Sequence, residues 1–262
     1  MRRKYFLIPF FLLLMIILAT ACSSKKSTTK VDKTKVERKV VKSKSKTSNK
    51  KMTTLNDLKT LKKKTLTYYA LGDSLSVGLF SNEMNSRFTT LFSNDLQKGT
   101  GKKVTEINTS SVGKTVTNFG LPNVQDLIDK QPDITTIEFG TNDAAYGVDA
   151  KHLGDFTTNL DTVVRRVKTE TKAHILLMTT WSPSDGKYIA NDATYDQVIK
   201  KIGQKYNVPV VNLSTIWQNN PQVTKNDLGY SQVYNRQKDT FHPNQLGHDK
   251  IAQLLYETVK NK

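Results

Sequence analysis

Apolar residues in this chain alternate between short runs and helical stripes from residue 65 onward. Residues 66–71 are a short apolar run that stops at Gly72, the pattern of a buried strand. Residues 83–96 follow a helical period, with Met84, Phe88, Leu91, Phe92 and Leu96 on one face. A short strand is expected over 104–108, and a helix over 124–130 that Pro132 ends. The run 134–139 predicts a strand stopping at Gly140. Residues 153–171 predict a long amphipathic helix striped by Phe156, Leu160, Val163, Val164 and Val167. A very apolar strand follows at 174–180, then a helix over 193–206, a strand over 208–213 and a closing helix over 246–259. Strands alternating with helices imply a parallel sheet covered on both faces. The continuous apolar runs 175–178 and 208–211 suit strands buried on both sides.

The first 64 residues have a different pattern. Arg2, Arg3 and Lys4 precede an almost wholly apolar stretch over 5–18, then Ala19, Thr20 and Ala21 lead to Cys22. The apolar run is short for a spanning helix, which needs about 20 residues, and small residues after it mark an export signal. Cys22 is the only cysteine, so no intrachain disulfide can form. Its setting resembles a bacterial lipobox, although Ala19 stands where Leu is usual. Residues 1–22 are therefore expected to be a lipoprotein signal with Cys22 as the lipidated residue. Residues 25–64 hold 16 basic and 3 acidic residues, most of the net charge of +17. A Lys/Ser/Thr tract with few apolar residues cannot bury a core. Residues 23–64 are expected to be a disordered tether, open to anionic lipid or wall polymer. The rest of the chain is near neutral, which argues against a nucleic-acid partner.

The chemistry sits in four short motifs: Gly72-Asp73-Ser74-Leu75, then 108–113, then Gly140-Thr141-Asn142-Asp143, and Asp239-Thr240-Phe241-His242. The first three follow a predicted strand, at the sheet edge where ligands of such folds bind. A serine is a weak nucleophile at neutral pH and needs a base. His242, three residues after Asp239, is the best of the four histidines for that role. His248 is expected to pack or be solvated, and nothing in the sequence pairs His152 or His174 with an acid. Gly113 allows close approach of its backbone, and Asn142 is expected to present a free amide. Asp143 is expected to brace its loop, and Asp73 to bond nearby backbone.

The order and spacing of the motifs resemble the SGNH (GDSL-type) esterase and lipase superfamily across nearly all of residues 65–262. The resemblance implies a flavodoxin-like three-layer α/β/α sandwich with a five-stranded parallel sheet. It implies Ser74, Asp239 and His242 as the catalytic residues. It assigns the oxyanion hole to the backbone N–H groups of Ser74 and Gly113 and the side-chain amide of Asn142.

Other hydrolase types fit less well. The α/β-hydrolase elbow is Gly-x-Ser-x-Gly, and Ser76 stands where its second Gly belongs. No His/Asp/Glu cluster has metal-ligand spacing, and no phosphate-binding glycine motif is present. The expectation is a monomeric, lipid-anchored, extracytoplasmic serine ester hydrolase that needs no cofactor or metal. Its substrate would be an acyl lipid or an O-acetylated glycan. Acyl transfer to a sugar hydroxyl, or a non-catalytic surface binding protein, are the alternatives.

Overall fold

A computed structural model describes residues 52–183 and 189–262. The signal segment 1–22, Cys22 and most of the basic tract lie outside the described residues.

The chain first forms helix α1 (Thr54–Thr60) and strand β1 (Thr65–Gly72). After β1 come the one-turn helix α2 (Ser74–Val77), α3 (Phe88–Thr100), β2 (Lys103–Asn108), α4 (Leu121–Lys130) and β3 (Ile134–Glu138). Next are α5 (Thr141–Ala144), α6 (Ala150–Glu170), β4 (His174–Met178), α7 (Ile189–Tyr206), β5 (Val210–Val211) and α8 (Ser214–Trp217). A two-stranded antiparallel ribbon, β6 (Tyr230–Ser231) and β7 (Arg236–Gln237), precedes the final helix α9 (Gln245–Asn261). The five main strands are parallel in the order β2-β1-β3-β4-β5. The expected α/β sandwich with a five-stranded parallel sheet is what forms.

Each face of the sheet buries its own core. On one side Tyr69, Leu71 and Ile137 meet the stripes of α4, α6 and α7, including the predicted Phe156, Leu160, Val163, Val164 and Val167. On the other, Tyr68, Leu176 and Met178 meet α1, α3 and α9 through Leu58, Phe92, Leu96, Ile251 and Leu255. Burying such side chains contributes about 2 kcal/mol each.

Three expectations change. The tether does not run to residue 64. Thr53 caps α1, and Leu58 is fully buried beneath it. Leu55, Leu58 and Leu61, three residues apart, put one apolar face of this Lys-rich stretch onto the core. The helix expected over 83–96 is split. Glu83 and Ser86 cap a short 3-10 turn, and α3 starts only at Phe88. Met84, placed on the buried face by the sequence pattern, is therefore exposed. The strand expected over 208–213 pairs only at Val210–Val211.

Candidate active site

Three of the four motifs line up on the carboxyl edge of the sheet. Gly72 ends β1 and Asp73 turns the chain into α2, its carboxylate accepting from the Leu75 N–H at 3.0 Å. This places Ser74 at the first position of α2, nearly buried. From the other end of the chain, the loop before α9 brings in His242, whose Nε2 lies 2.9 Å from Ser74 Oγ. His242 Nδ1 lies 2.7 Å from Asp239 Oδ2. Asp239 Oδ1 also accepts from the backbone N–H groups of Phe241 (2.9 Å) and His242 (2.8 Å), locking the acid to the turn that carries the base. Burial alone would raise the Asp239 carboxyl. The hydrogen bond and charge of His242 outweigh it and hold the carboxyl below its usual range.

The imidazole is boxed in by aromatic edges. Phe80 and Phe241 approach it edge-on, with ring centroids at 5.5 and 5.3 Å. Phe80 has φ +69°, an uncommon conformation for a bulky residue. The fully buried Trp181, just beyond β4, donates from its indole N–H to Phe241 O at 2.8 Å. Its backbone N–H donates to Thr141 Oγ1 at 2.9 Å. One residue, through its indole and its backbone N–H, thus braces the base loop and the Asn142 loop together, and nothing in the sequence pattern marks it.

On the far side of Ser74 stand the remaining motifs. Gly113 lies in an exposed turn at φ +72°, where glycine is favoured and a side chain would be strained. Asn142 does not present a free amide. Its Nδ2 donates to Asp73 Oδ2 at 2.7 Å and to Lys114 O at 3.0 Å, because the loop after Gly113 folds against it. Asp143 accepts from the Val116 N–H at 3.2 Å and so ties down that loop. Burial pushes its carboxyl up to about 7.

The other histidines are settled by their contacts. His152 does pair with an acid, Asp149, at 2.5 Å, and His174 pairs with Asp57 at 2.9 Å. Asp149-x-x-His152 repeats the spacing of Asp239-x-x-His242, but it caps α6 at the surface, and Ser74 is bonded to His242 instead. His248 is fully buried, donating from Nε2 to Leu79 O at 3.0 Å and stacking on Phe88. Among the described residues no group of three or more His, Cys, Asp or Glu could hold a metal ion.

A model of the GDSL-like lipase/acylhydrolase family matches residues 70–250, more than half of the chain and all four motifs. The chain belongs to the GDSL-like lipase/acylhydrolase family. It is a serine ester hydrolase of the SGNH type. No curated protein matches the sequence. Solved structures of similar fold include the psychrotrophic esterase EstA from Pseudoalteromonas sp., inhibited by monoethylphosphonate (22% identity, 74% of this chain and 96% of that one, TM-score 0.56). An acetylxylan esterase from Geobacillus stearothermophilus is 20% identical over 75% of this chain and 95% of its own, with TM-score 0.58. A lipase/acylhydrolase from Enterococcus faecalis is 23% identical over 74% of this chain and 95% of its own, also at 0.58. At these identities the likeness is one of fold, and this GDSL-like acylhydrolase must be read from its own residues.

Proposed function

We propose that the chain hydrolyses acyl esters through an acyl-enzyme on Ser74. The continuous chain from Asp239 through His242 to Ser74 carries this reading. His242 Nε2 takes the proton of Ser74 Oγ as the oxygen attacks the ester carbonyl carbon. The imidazolium, steadied by Asp239, then gives that proton to the departing alcohol. Water repeats the sequence and releases the acid. The oxyanion is held by the N–H groups of Ser74 and Gly113 and by the Asn142 amide. Each such donor is worth about 3 kcal/mol in the transition state. No step calls for a cofactor.

We take the substrate to be a small acyl ester, an O-acetylated carbohydrate before a lipid, on the precedent of the acetylxylan esterase of similar fold. The signal pattern and Cys22 add a lipid anchor on the outer face of the cell membrane. Ser74→Ala should abolish hydrolysis of p-nitrophenyl acetate with the fold intact and should lose labelling by a phosphonate ester. Turnover above a few per cent of the unsubstituted enzyme would remove Ser74 as nucleophile. Faster turnover of long-chain than acetyl esters would move the substrate class to lipids.

A further inference from the structure

Behind Ser74 lies a pair of buried carboxyls that the triad does not use. Glu138 closes β3 beside Gly72 in the sheet register, with no exposure. Its Oε2 accepts from the Asp73 N–H at 3.1 Å and from Ser76 Oγ at 3.0 Å. Its Oε1 is buried and has no donor. Asp73 is equally buried, and the bond from its backbone N–H to Oε2 sets it beside Glu138. Neither carboxyl has a salt-bridge partner among the described residues. The room for this arrangement exists because residue 72 is glycine. A Cβ there would come within 2.7 Å of Glu138 Oε2. Two acceptor-only groups cannot bond each other, and like charges so close and so buried cannot both persist. One proton held by the pair removes that conflict.

We propose that Glu138 is a positioning residue: it shares one proton with Asp73, and that proton sets how firmly Asp73 holds the Asn142 amide. The proposal rests on the reading of Asn142 as an oxyanion donor. At rest both hydrogens of that amide are engaged, one by Asp73 and one by Lys114 O. Serving an oxyanion requires one of them to be shared or released. A neutral acid holds an N–H more weakly than a carboxylate does, since charge-assisted bonds are roughly twice as strong. With the proton in place, Asp73 orients Asn142 and still lets it turn toward developing charge. Burial first, and then the charge of Glu138, push the Asp73 carboxyl well above the usual range; burial raises Glu138 as well, against the lowering effect of the two bonds to its Oε2. Asp143 on α5 is the other charged group acting on Asp73, and its negative charge also favours the shared proton.

The sign of the pH dependence follows. As pH rises past the upper titration of the pair, Asp73 becomes a carboxylate, grips Asn142, and kcat falls. Glu138→Gln keeps the shape and gives Asp73 a permanent donor with no charge beside it. Asp73 then ionises at lower pH. The alkaline limb of kcat should move toward acid by about one pH unit or more, and kcat beyond it should fall about tenfold with KM within about twofold. A uniform loss at every pH, or a loss in KM, would mean a merely structural role and overturn the proposal. In an Asn142→Ala background, Glu138→Gln should add nothing to kcat. If Asn142→Ala by itself leaves kcat intact, the oxyanion reading falls and the proposal with it. If Asn142→Ala lowers kcat but Glu138→Gln still exerts its full effect, only the proposal falls. Infrared spectra of the unsubstituted protein, taken across the pH range of the alkaline limb, supply a test that does not need the variants to fold. A protonated-carboxyl carbonyl band should be present on the kcat plateau and should fade together with the alkaline limb. Its absence would overturn the shared proton.

Discussion

At the residue scale, burial decides what each ionisable group does. His248 and His242 stand six positions apart, yet only His242 reaches Ser74. His248 is sealed beneath the 78–82 turn and held neutral, its pKa pushed by burial down to about 4 from 6.5. A depressed value means that the unfolded chain binds the proton first. The stability His248 contributes is therefore complete above pH 6.5 and lost as pH falls toward 4. The stability advantage of the unsubstituted protein over His248→Gln, from urea unfolding, should shrink by up to about 3 kcal/mol across that window. A constant difference would show that His248 is not the buried neutral donor to Leu79. The motif residues themselves were legible because Ser, Asp and His carry their chemistry in their names. Glu138 was missed because it lies within 134–139, a run read only as an apolar strand. A carboxylate inside such a run was the available signal. The partners of Asn142 and the hub at Trp181 were not readable, since they join loops far apart in sequence.

At the scale of elements, continuous apolar runs and clean stripes transferred well. The strand expected over 174–180 forms at His174–Met178, two residues shorter, and the stripe of α6 stands where its pattern places it. Where lysine outnumbers leucine, the pattern misleads. The α1 stretch reads as tether because Lys59 and Lys62 to Lys64 surround Leu55, Leu58 and Leu61, yet its packing is specific. The ribbon of β6 and β7 has too little alternation to announce itself and pairs over only two residues per strand. α1 yields a direct test. Removing residues 1–51 should leave kcat/KM on a small ester within about twofold and leave the melting temperature unchanged. Removing residues 1–61 strips Leu55, Leu58 and Leu61 from the core. With Leu58 fully buried, worth about 2 kcal/mol, and Leu55 and Leu61 partly buried, it should lower the melting temperature by several degrees. Equal melting of the two truncations would mean that α1 is a passenger.

At the scale of the molecule, the position of the chain ends matters most. The Thr54 N–H bonds the Lys262 carbonyl, and α1 packs against α3 and α9. Both ends of the folded unit thus meet below the amino edge of the sheet, where β1 begins at Thr65. Ser74 sits past the other end of that strand, about 25 Å away along its length. The reading of Cys22 as an anchor is tested by Cys22→Ala, which should shift the protein out of the detergent phase or leave it as precursor. Unchanged partitioning together with normal processing would remove the anchor. Should the anchor hold, the polarity of β1 sets a direction of work. The end that receives the leash is the end without the chemistry. Tension along the chain that enters at Thr54 would turn the Ser74 edge of the sheet away from the point of pull.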